Sequence, residues 1–226
     1  SRPPEELYDL ANDPFETKNL IDDPQHAATA KRLRNELYAW MAETNDAGLV
    51  PEPILEELGR QVGHKALVMQ QPQQQNLVPR LIAAITAGEQ ADVESLQEFA
   101  GDDHPAVRYW ATLGLGRAKA KDAPAILAKL LENDPSPAVQ LAAAKALCQF
   151  KVEPQALEKL QALLQHENAV VGFYAARMIE QIGDDARSTL PAIETASQGS
   201  YDCTKRVCQR LIARWGQANG SQPPRE

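Results

Sequence analysis

The chain has 226 residues, a net charge of −8 at pH 7 and only 5% aromatic side chains. An acidic total of this size disfavours general nucleic-acid binding, because phosphate contacts need a basic surface. No apolar run reaches the length of a membrane span, so neither nucleic acid nor membrane is an expected partner. The length suits one elongated domain with an appendage.

The first readable element is Glu6-Leu7-Tyr8-Asp9-Leu10, which alternates polar and apolar as a half-buried strand does. No other segment reads as a strand, and one strand cannot satisfy its own backbone donors and acceptors. Its sheet is therefore expected in a part of the protein outside this sequence. Turns follow at Asn12-Asp13-Pro14 and Asp22-Asp23-Pro24. The next element is a helix from Gln25 to Thr44 whose Ala30, Leu33, Leu37, Trp40 and Met41 form one stripe, with Asp22 or Asp23 as its cap.

Val50-Pro51-Glu52-Pro53 reads as a hinge, and Gln70-Gln71-Pro72-Gln73-Gln74-Gln75-Asn76 as a polar, low-complexity loop. Helices from Ile54 to Met69 and from Asn76 to Gly88 flank that loop, and an atypical first repeat is expected of them. Glu56, Glu57, Arg60 and Lys65 would supply the polar outer side that a terminal repeat needs.

Three stretches then superpose without a gap at a spacing of 32 residues: His104-Pro105-Ala106-Val107, Ser136-Pro137-Ala138-Val139 and Asn168-Ala169-Val170-Val171. Val107, Val139 and Val171 coincide, as do Ala111, Ala143 and Ala175, and a fourth copy places Cys208 in the alanine slot one residue late. Each stretch opens a run of helical period, such as Val139, Ala142, Ala143, Ala146, Leu147 and Phe150. The small residues let neighbouring helices approach closely. Ser136 reads as an N-cap and Pro137 as a first helical residue, whose missing N–H would have been an orphan donor. A second helix precedes each run, marked by Leu96, Phe99 and Ala100, then Leu127, Leu130 and Leu131, then Leu160, Leu163 and Leu164. Each unit is thus an A helix followed by a B helix. Such a unit buries its apolar face only against its neighbours, which makes a stacked solenoid.

The pattern Pro105-Ala106-Val107-Arg108, with Ala111 and Leu115-Gly116, resembles HEAT-like repeats, especially the short form also found in phycobilisome lyases. The expected architecture is an all-α HEAT-like solenoid with a short N-terminal strand, turn and helix. Its divisions are residues 1–49 for the appendage, 50–88 for the linker and capping pair, 89–217 for the repeats and 218–226 for a flexible tail.

The appendage carries a second resemblance. Glu6-Leu7-Tyr8-Asp9-Leu10, Asp13-Pro14-Phe15-Glu16, Asn19-Leu20 and the helix ending Leu37-Tyr38-Ala39-Trp40-Met41 are similar to the closing segment of sulfatases of the arylsulfatase/alkaline-phosphatase superfamily. The resemblance implies a final strand of a small sheet with a last helix packed on it, which is the sheet that Leu7 and Leu10 lack. It also implies a periplasmic or secreted location. The family's nucleophile comes from a Cys/Ser-x-Pro-x-Arg motif, and none of Cys148, Cys203 and Cys208 opens one. No catalytic residue, cofactor or metal ligand is carried over.

Other chemistry is sparse. His26, His64, His104 and His166 are scattered without zinc-binding spacing. Asp102-Asp103-His104 could bind a cation, but acids before a helix more often cap it; Cys208 reads as a core filler, and Asn219-Gly220-Ser221 as a chance glycosylation acceptor. The B helices, however, carry Arg108, Arg117, Lys145, Arg177, Lys205, Arg206, Arg210 and Arg214 against Glu180 and Asp202. Either these cations pair with carboxylates of neighbouring repeats, or they form a face for an anionic partner such as a sulfated polysaccharide or an acidic patch on a catalytic domain. The expected function is a non-catalytic interaction module ending a sulfatase polypeptide. The alternatives are a free-standing protein-binding scaffold and a lyase of the phycobilisome type.

Overall fold

The computed structural model describes residue 3 and residues 5–217, so the tail and its glycosylation acceptor lie outside the described residues. The chain divides into two compact units, Ser1–Asp46 and Ala47–Glu226.

In the first unit, residues 5–9 form no strand. The Leu7 N–H donates to Asn19 Oδ1 and the Leu7 carbonyl accepts from Leu20 N–H, both at 2.8 Å, so a side chain and one loop amide stand where a ladder would be. The register is fixed again by Arg34, whose guanidinium grips both carboxylate oxygens of Glu5 at 2.7 and 2.5 Å. Between these points Asp13 closes the turn, accepting from the N–H groups of Thr17 and Lys18 at 2.8 Å. Asp23 accepts from Gln25 N–H at 2.9 Å and so caps the 3₁₀ turn leading into α1 (Ala27–Glu43). Of the expected stripe on α1 only Ala30 and Met41 are buried; Leu33, Leu37 and Trp40 are 40%, 51% and 54% exposed.

The second unit is a two-layer helical array. Its B layer is α3 (Leu77–Gln90), α5 (Pro105–Ala118), α7 (Pro137–Phe150), α9 (Ala169–Ile182) and α11 (Asp202–Gln217), each packed on the next. Its A layer is α4 (Val93–Phe99), α6 (Ala123–Asn133), α8 (Pro154–Leu163) and α10 (Leu190–Ala196), each packed on the B helix that follows it. Val107, Val139, Ala111, Ala143 and Ala175 are fully buried and Val171 is nearly so.

Small residues set the spacing. A Cβ on Gly114 would sit 2.5 Å from Leu96 Cδ2 and 3.1 Å from the Gly88 Cα, and one on Gly116 would sit 2.7 Å from Ala146 Cβ. The helix starts use three different caps. His104 Nδ1 accepts from Ala106 N–H and Asn168 Oδ1 from Val170 N–H, both at 3.1 Å. Ser136 occupies the cap position of α7 without a side-chain bond, and Asp134 Oδ1 takes the Ser136 N–H at 2.8 Å instead.

Between the appendage and the repeats lies α2 (Glu52–Val62), followed by a 3₁₀ segment at Lys65–Gln70. A Cβ on Gly59 would lie 2.8 Å from the Lys65 nitrogen, so this segment crosses α2 in close contact. Lys65 Nζ ties it down, donating to Glu52 and Glu56 at 2.6 and 2.7 Å. The helix α2 also reaches α9, two B helices beyond α5.

Candidate interaction faces of the helical array

The B helices are buried on two sides. One side meets the A layer. The other carries a second apolar cluster, in which Val50 and Ile54 join Leu77, Leu81, Val107 and Val139. Two long-range hydrogen bonds seat the segment before and at the start of α2: Trp110 Nε1 donates to the Leu49 carbonyl at 2.8 Å, and the buried Asn168 donates to the Pro53 carbonyl at 3.4 Å. A groove of about 470 Å³ remains between Ile54 and Leu58 on α2 and Pro105, Pro137 and Val171 at the starts of α5, α7 and α9.

Seven of the eight basic residues considered for an interaction face, all but Arg206, fall into three environments. Arg108 is an internal clamp, 11% exposed, with its Nε and Nη2 on the two oxygens of buried Asp134 at 2.7 and 2.9 Å. Its Nη1 donates to the Asp102 and Asp103 carbonyls at 3.0 Å, so the charge is consumed in joining successive repeats.

Towards the other end, Glu180 is shared by Arg177 and Arg210, the latter at 3.0 Å. Asp184 takes both Arg214 at 3.0 Å and the Trp215 indole N–H at 3.1 Å, and Lys205 lies 3.6 Å from Asp202. Arg117 and Lys145 differ from these: among the described residues neither has a carboxylate within 4.0 Å. Lys145 is partly buried, and desolvation followed by the nearby Arg117 charge lowers its pKa.

The remaining candidates for chemistry are structural. Arg80 is paired with both Asp102 and Asp103, which turns Asp102-Asp103-His104 into a locked helix start. His104 has its pKa lowered by burial and then by the Arg80 charge. No group of three or more His, Cys, Asp or Glu side chains that could hold a metal occurs among the described residues. Burial pushes the Cys148 thiol up and the Cys208 thiol up to about 11, which leaves both protonated near neutrality. A Ser-x-Pro-x-Arg string does occur, as Ser221-Gln222-Pro223-Pro224-Arg225, outside the described residues. No described helix is long and apolar enough to cross a membrane.

Comparison with known proteins gives two kinds of match. Residues 124–212 match the HEAT repeats family, and residues 107–133 the PBS lyase HEAT-like repeat. The chain is 45% identical over 53 residues to N-sulphoglucosamine sulphohydrolase of Homo sapiens, covering 23% of this chain and 11% of that protein. It is 41% identical over 51 residues to an ulvan-active sulfatase of Formosa agariphila, covering 23% of this chain and 9% of that protein. The chain therefore spans about a tenth of the length of the curated relatives it matches. The matches to HEAT repeat families fall at residues 107–212, within the helical array, and the similarity to sulfatases is confined to about 50 residues.

Proposed function

We propose that the chain is the C-terminal part of a sulfatase polypeptide, in which the HEAT array is a non-catalytic interaction module and residues 5–44 complete the enzyme domain. The observation that carries this reading is the apolar face of α1, where Leu33, Leu37 and Trp40 lie exposed one turn apart in the segment that resembles a sulfatase's last helix. Apolar groups spaced this way on one helix face normally have a partner surface. A catalytic domain upstream would cover them, and its sheet would receive Leu7 and Leu10.

Catalysis in this reading belongs to that upstream domain, and the chain alone hydrolyses no sulfate ester. Reading the coding sequence upstream of Ser1 tests it directly. A Cys/Ser-x-Pro-x-Arg motif several hundred residues upstream is the expected result; an initiator methionine immediately before Ser1 would leave a free-standing scaffold as the function. The lyase alternative has only the repeat form at residues 107–133 in its favour.

A further inference from the structure

We infer that the recess between α7 and the C-terminal end of α9, with Lys145 on its wall and Gln149 and Gln181 at its rim, binds the oxyanion group of an acidic saccharide. The recess encloses about 330 Å³, room for one charged sugar unit. Lys145 is the cation inside it, and Arg117 on α5 adds a second positive charge close enough to disfavour the first. Two neighbouring cations, one of them partly buried, have no carboxylate within 4.0 Å among the described residues. A bound oxyanion supplies the counter-charge they lack, in a setting where burial strengthens a charge-assisted hydrogen bond.

The rim favours a saccharide over an acidic protein patch. The amides of Gln149 and Gln181 each present two donors and an acceptor, the complement of ring hydroxyls beside a charged substituent. The Gln149 Oε1 already lies over Gly116, where a Cβ would come within 2.7 Å of it, so this amide is directed across to α5 beside Arg117. The opposing contribution is one exposed carboxylate, Asp185, which also lines the recess. Beyond the recess, Arg177 and Arg210 share a single Glu180, so the neighbouring B helices carry one further net positive charge along which a polyanion can continue.

This inference deepens the interaction-module reading and rests on it only for the kind of partner. The test is titration of the full chain with dextran sulfate, polygalacturonate and neutral dextran at low and high salt, comparing wild type with Lys145→Gln, Gln181→Ala and Arg214→Gln. The two polyanions separate sulfate from carboxylate as the preferred oxyanion. Lys145→Gln should weaken polyanion binding by about tenfold, the loss of one charge-assisted contact, Gln181→Ala should weaken it less, and Arg214→Gln should leave it near wild type.

Bound polyanion should also shield Lys145 from acylation, read by peptide mass spectrometry, which reports the site without any substitution. Polyanion binding that ignores Lys145→Gln and leaves Lys145 unshielded would overturn the site while leaving an interaction module in place. No binding of either polyanion at low salt would overturn the saccharide. Neither result touches the sulfatase reading, which the upstream coding sequence decides.

Discussion

At the residue scale, the array depends on positions where a side chain is small because a neighbour's backbone is near. Ala143 is fully buried in α7 at the slot shared with Ala111 and Ala175. Ala143→Leu adds three carbons to a filled space and should cost about 1–3 kcal/mol; a denaturant midpoint equal to wild type would show that the slot has slack. The Arg108–Asp134 pair is sensitive for a different reason. Arg108→Ala leaves the Asp134 carboxylate buried without its bidentate partner, and a loss of about 3–5 kcal/mol is expected. Arg108→Met with Asp134→Leu should recover much of that loss, since a matched apolar pair replaces an ion pair whose desolvation was itself costly.

Lys145 gives a signed pH prediction. Its folded pKa is lowered, mainly by desolvation, so between that value and the unfolded value of about 10.5 the unfolded chain binds more protons. Stability contributed by this site therefore rises with pH across that window and is at its lowest below it. Lys145→Met should be more stable than wild type at pH 7, with the difference shrinking as pH approaches 10.5. A constant difference between the two unfolding curves across pH would mean that Lys145 is not desolvated.

At the element scale, the repeats could be read from the sequence because each B helix repeats its valine and alanine slots at a fixed interval. Helix stacking is a nearest-neighbour property, and it leaves a periodic trace. The placement of α2 left none. Val107 and Val139 look alike whether a neighbouring repeat or Ile54 covers them, and the bonds Trp110–Leu49 and Asn168–Pro53 join residues 61 and 115 positions apart.

The cation partners were illegible for the same reason: nothing in the sequence shows that Glu180 serves two arginines while Lys145 has no carboxylate within 4.0 Å among the described residues. The strand expectation at residues 6–10 used a real alternation, yet Asn19 supplies the acceptor a neighbouring strand would have given. Trp110→Phe keeps the packing and removes one donor. Amide exchange should then quicken in residues 47–62 and stay unchanged in α7, and uniform slow exchange would show that α2 is held by burial alone.

At the scale of the whole molecule, the two units differ in how much they bury. Residues 47–217 contain almost all of the buried apolar side chains, whereas Leu20, Ala30 and Met41 are the buried apolar residues among those described in the first 46. A unit of that size with so small a core cannot offset the conformational entropy of its own ordering. A fragment starting at Ala47 should therefore keep the helicity and melting temperature of the array, while a peptide of residues 1–46 should be largely unfolded alone.

The same peptide should order when supplied with the sulfatase domain proposed upstream, and Trp40, exposed here, should shift its fluorescence to shorter wavelength as it leaves water. A peptide that folds unaided with Trp40 still exposed would remove the need for a covering domain. The exposed stripe of α1 would then be ordinary surface, and the sulfatase reading would rest on sequence similarity alone.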